Sequence, residues 1–158
     1  MEDTNIILDK FGENENFTYF GVFDGYDGEV ASRRAASQLH LAVLFSLSEL
    51  NTEVQFLKER YVYDEINHLE KYSNSEEPNF KNEILADLKD LTEEEINQKK
   101  IHHSFTYAYR QMDKLLSRGK DETSKVRWSG ATACACIIEH KRNNNEGWIH
   151  ISNCGNYI

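Results

Sequence analysis

FGVFDGYDG, residues 20–28, is an apolar run that ends on an aspartate and breaks into a glycine turn. The stretch that feeds it, FTYFGVF (17–23), is apolar at odd and even positions alike. Such a pattern predicts a strand covered on both faces, as in the middle of a layered sheet. Asp24 then falls at the strand end, with Asp27 beyond Gly25 and Tyr26. Carboxylates around a glycine turn at a strand end suit a metal or phosphate site. The plainer reading is an acidic turn whose glycines the backbone requires. Past the turn, Val30, Ala35, Leu39, Val43, Leu44 and Leu47 recur at helical spacing and predict a helix from near Glu29 to Leu50. The small residues Ala31, Ser32, Ala35 and Ala36 would let its first turns approach a sheet closely, and Glu29 suits the positive end of the helix dipole.

On the N-terminal side, residues 4–10 read as a strand joined to 17–23 by the polar turn Phe11 to Asn16. Residues 51–100 change character: Glu, Asp, Asn and Lys dominate, and the stretch holds the only proline, Pro78, beside the tract Ser73 to Glu77. We read it as a solvated, acidic helical insertion broken by a loop near 73–80, within one domain spanning 1–158. Thr92 with Glu95 forms a capping-box signature for a helix reaching about Ser117, whose apolar stripe is Ile96, Ile101, Phe105, Ala108, Met112 and Leu115. The adjacent His102 and His103 point in different directions on such a helix and read as surface. SGATACACIIE (129–139) and WIHISNCGNYI (148–158) predict two further strands about the turn Lys141 to Gly147. A strand running to an apolar end at Ile158 carries the expectation that more sheet follows.

Composition sets the outer bounds. At 158 residues and 39% hydrophobic content the chain can bury a real core. A net charge of −9 disfavours a general nucleic-acid surface, since phosphates are repelled except at a basic patch, and none is evident. No apolar run approaches the roughly 18 residues needed to span a bilayer, and MEDTNIILDK lacks the form of a secretory signal. The expectation is a cytoplasmic or nuclear protein that is not secreted and binds neither nucleic acid nor membrane. Cys134 and Cys136, two apart, share a face of their strand; with Cys154 they read as buried free thiols rather than zinc ligands. Asn16-Phe17-Thr18 matches a glycosylation acceptor only by chance in such a chain.

Four short motifs stand in a telling order: Met1-Glu2-Asp3 before a strand, FGVFDGYDG before a helix, SGATA at the start of a strand, and ISNCGNY in the last one. This order resembles the metal-dependent protein phosphatases of type 2C, with their M-E-D, V-F-D-G-H-x-G, S-G-x-T-A and A-N-x-G-D-S motifs. The resemblance covers nearly the whole chain outside 51–100. It implies an α+β fold, a four-layer αββα sandwich of which about the first half is present. It also implies roles for single residues: Asp24 bridging two metal ions, the Gly25 carbonyl binding one of them, and Glu2 and Asp3 holding metal-bound water. In such a centre two divalent cations lower the pKa of a bridging water so that it attacks a phosphate ester.

The departures from that pattern matter as much. Tyr26 replaces the turn histidine, a likely proton donor to the leaving group, and is a much weaker acid at neutral pH. Asn156 replaces a metal-binding aspartate of the closing hairpin. The family's phosphate-holding arginine, which precedes M-E-D, and its later aspartates are not in this sequence. Against a charge of about +4 for two divalent ions, Asp24, Glu2 and Asp3 supply too few oxygens for tight binding. No cofactor is expected beyond weak capture of one Mg²⁺ or Mn²⁺. The expectation is a catalytically inactive pseudophosphatase that acts by binding a protein partner. The alternative is a metal-dependent serine/threonine phosphatase active only in a longer chain.

Overall fold

The computed structural model describes residues 2–51, 54, 84, 86–118, 128–141 and 146–155. The loop expected near 73–80, most of the acidic insertion, most of the 141–147 turn and Asn156 lie outside the described residues. The described chain runs β1 (Thr4–Asp9), a 3-10 turn (Phe11–Glu13), β2 (Phe17–Tyr26), α1 (Val30–Leu50), α2 (Glu93–Arg118), β3 (Gly130–His140) and β4 (Gly147–Cys154). The fold is α+β, with a four-stranded antiparallel sheet in the order β1-β2-β3-β4. None of the described helices is long and apolar enough to cross a membrane.

The element boundaries follow local chemistry. Thr92 and Glu95 form the full reciprocal box: Glu95 N–H donates to Thr92 Oγ1 at 3.3 Å, and Thr92 N–H donates to Glu95 Oε2 at 2.8 Å. This satisfies donors that a helix start otherwise leaves open. β2 runs further than its apolar pattern implies. Asp24, Gly25 and Tyr26 stay in the ladder, paired with Thr132, Ala131 and Gly130, because the small residues of β3 leave room for them. Phe11, grouped by sequence with a polar turn, is instead buried and stacks on Tyr19 at 5.0 Å.

One face of the sheet carries the core. Phe17, Tyr19 and Phe23 of β2 and Ala133, Ala135 and Ile137 of β3 turn inward under α1, whose Leu39, Val43 and Leu47 are fully buried. α1 lies on β2 and β3, and α2 packs along α1 and reaches β4. The small residues of α1 have the expected effect: Ala31 and Ser32 are completely buried, so this helix end sits tight on the sheet.

The opposite face, expected to be covered as well, is covered by none of the described elements. Along one cross-strand row stand Ile7, Phe20, Cys136 and Ile151, flanked by Val22, Cys134, Ile138 and Ile149. Ile7 is 65%, Val22 53%, Ile149 62% and Ile151 71% exposed. Alternation along β2 therefore separates a buried set from an uncovered apolar set, although the residue types on the two faces are alike. Cys134 and Cys136 share this face as expected, but they are half-buried rather than buried, and Cys154 is exposed.

Candidate functional site

β2 sends Asp24 and Tyr26 to the uncovered face and Gly25 to the helix-covered one. Gly25 is there because nothing larger fits: a Cβ would stand 2.6 Å from the Glu2 carbonyl oxygen and 2.8 Å from Ser32 Oγ. Ser32, buried in the first turn of α1, donates its hydroxyl hydrogen to the Glu2 carbonyl and lies 3.1 Å from that of Glu29. The sequence signal at Ser32 was only its small size, yet its hydroxyl ties the N-terminal segment to the helix. Gly25→Ala is expected to lower stability by about 2 kcal/mol, since backbone and a buried hydroxyl must both give way. Chemical denaturation of the variant beside the parent measures it.

The turn itself is built from left-handed backbone. Asp27 has φ 56° and Gly28 φ 118°, which reverse the chain into α1. Glu29 occupies the N-cap without a side-chain cap and instead pairs with Arg33 at 2.9 Å, one turn on. The capping role passes to Ser129, whose Oγ accepts the Ala31 N–H at 3.2 Å from 98 positions away. Gly155 packs on the Thr132 side chain, where a Cβ would meet Cγ2 at 2.8 Å. All four sequence motifs thus converge on one end of the sheet: Glu2 on Gly25 and Ser32, Tyr26 on Gly130, Ser129 on α1, and Gly155 on Thr132.

Oxygen donors converge less. The β1–β2 register, Thr4 opposite Phe23, carried one residue further sets Asp3 beside Asp24, both exposed, while Glu2 is half-buried and anchored through its backbone. Among the described residues no group of three or more His, Cys, Asp or Glu side chains is placed to hold a metal ion. By themselves these donors are too few for two divalent ions, each of which takes about six oxygen ligands.

The opposite end of the sheet carries a second polar cluster. Glu94 Oε1 accepts from Lys141 Nζ and, at 3.0 Å, from Trp148 Nε1, while Lys141 sits 5.3 Å from the Trp148 ring centre. The Lys141 hydrogen bond, then the indole, hold the Glu94 carboxyl below its usual range. This clamps the start of α2 to the β3–β4 hairpin. Of the histidine pair, His102 is exposed as expected. His103 is half-buried, 3.5 Å from Asp87, and burial draws its pKa down.

Motif order and motif convergence on an α+β scaffold define a chain of the protein phosphatase 2C-like class, and comparison with known proteins bears out that relationship. The human protein phosphatase 2C-like domain-containing protein 1 is 30% identical over 149 residues, 89% of this chain and 22% of that protein. The mouse protein of the same name is 29% identical over 133 residues, 84% of this chain and 21% of the relative. The chain therefore spans about a fifth of the length of these relatives. No family model matches it.

Proposed function

We propose that the chain is a type 2C phosphatase-like module that does not hydrolyse phosphoesters and works by binding a protein partner. Its strands and helices make up one sheet-and-helix half of an αββα sandwich, with an acidic helical insertion around 51–100. The uncovered apolar face, with Ile7, Val22, Ile149 and Ile151 outermost, supports the sandwich. A second apolar sheet at the usual spacing of about 10 Å would take those side chains out of water.

The observation that carries the inactive reading is the donor geometry at Asp24. One exposed carboxylate with Asp3 beside it, and the Gly25 carbonyl, amount to a weak site for a single Mg²⁺ or Mn²⁺. Tyr26 stands where the type 2C turn carries a histidine, so that proton donor is missing from the turn.

Phosphoester hydrolysis by the full-length protein in excess Mn²⁺ is expected to match a protein-free blank, and to stay there in Asp24→Ala. Calorimetric titration with Mn²⁺ should show at most one weak event, lost in Asp24→Asn. Turnover abolished by Asp24→Ala would establish the active phosphatase instead, and two tight binding events would overturn the weak single-ion site.

A further inference from the structure

The last rung of the β2–β3 ladder pairs Tyr26 with Gly130. A Cβ built on Gly130 would overlap the Tyr26 ring at Cε2 and Cζ and also its hydroxyl oxygen, so the phenol lies directly over the bare glycine backbone. Tyr26 is 56% exposed, which leaves the other side of the ring to solvent. An aromatic ring laid across a facing glycine shields a stretch of strand that glycine by itself packs poorly. The neighbours of this pair are the parts of the turn that need holding. On one strand Asp24 precedes Tyr26 on the same face, and Asp27 and Gly28 follow in left-handed conformation. On the other, Ser129 precedes Gly130 and caps α1.

We propose that Tyr26 is the positioning residue of the Asp24 turn: seated on Gly130, its ring locks the end of the β2–β3 ladder and thereby holds Asp24 and the Asp27-Gly28 reversal in one geometry. The inference concerns the turn's rigidity and stands whether or not the chain hydrolyses phosphoesters. It gives the glycine of the S-G-A-T-A segment a specific task, that of a seat, and gives the tyrosine a packing role.

A double-mutant cycle with amide hydrogen exchange tests it on the whole protein. Gly130→Ala in the parent unseats the ring and should lower the urea midpoint by roughly 0.5 M or more. In a Tyr26→Ala background the same change should be neutral or raise the midpoint, because alanine suits a strand better than glycine. Amides of residues 25–27 and 129–131 should exchange at least tenfold faster in Tyr26→Ala, with those of Leu39 and Val43 unchanged, and Tyr26→Phe should behave as the parent. Equal midpoint shifts in both backgrounds would overturn the proposal. So would Tyr26→Ala exchange rates at the turn that match the parent, or a uniform rise that includes the α1 core. Should Gly130→Ala not fold, the exchange comparison of Tyr26→Ala with Tyr26→Phe decides by itself.

Discussion

Phe23→Ala is expected to cost about 4 kcal/mol, a large share of the stability of a domain of this size. Phe23 is fully buried on the helix-covered face of β2, and its ring edge fills the space over Gly21, where an added Cβ would stand 2.9 Å from Cε2 and Cζ. Removing the ring leaves a cavity that the glycine beside it cannot fill. The residue also precedes Asp24 in the chain, so the core that holds the strand and the turn that carries the acid are one unit. Urea unfolding followed by far-ultraviolet circular dichroism gives the value. A loss below about 1 kcal/mol would mean that this side chain does not sit in the core described.

Acidification is expected to destabilise the protein through His40. Burial among the residues of α1 and beside Tyr19 pushes the imidazole down to about 4, only partly offset by its hydrogen bond to the Ala36 carbonyl at 3.1 Å. The neighbouring Tyr19 phenol, fully buried, is pushed up by the same desolvation and stays neutral. Between about pH 4 and 6.5 the unfolded chain takes up a proton on His40 that the folded chain refuses. This contribution to stability is therefore complete above about pH 6.5 and shrinks as pH falls through that window. By pH 5 the loss from this one group is about 2 kcal/mol. His40→Gln should show a pH dependence flatter by that amount between pH 7 and 5, the carboxylate contributions being common to both proteins. Parallel curves for parent and variant would show that His40 titrates freely in the folded state.

Much of this architecture is written in local pattern. The capping pair Thr92 and Glu95, the helical spacing of Leu39, Val43 and Leu47, and the small residues at the head of α1 each act within a few positions, so reading them in order returns the elements nearly as they stand. A reversal just ahead of α1 was legible for the same reason, although it sits at Asp27 and Gly28 while Asp24 and Gly25 stay in the strand, and the four motifs in sequence order sufficed to point to the type 2C phosphatase class.

What a linear reading misses depends on who lies opposite. FTYFGVF shows that both faces of β2 are apolar, but apolarity does not name a cover: Phe23 found α1, while Val22 on the next position faces no described element. Hydroxyl chemistry is equally silent in sequence. Ser32 and Ser129 are small polar residues on the page, and only the fold sets one against the Glu2 carbonyl and the other against the N-terminus of α1, 98 positions distant. His40 carries no signal of its depressed pKa, because burial comes from the packing around it, Tyr19 of β2 included, and not from the residue. The sequence by itself determined the elements, their order and the class of protein, since propensity, periodicity and caps are short-range forces. Only the tertiary structure decided which face of the sheet the helices cover and which hydroxyls bind the motifs together, since each of these is a contact between segments far apart in the chain.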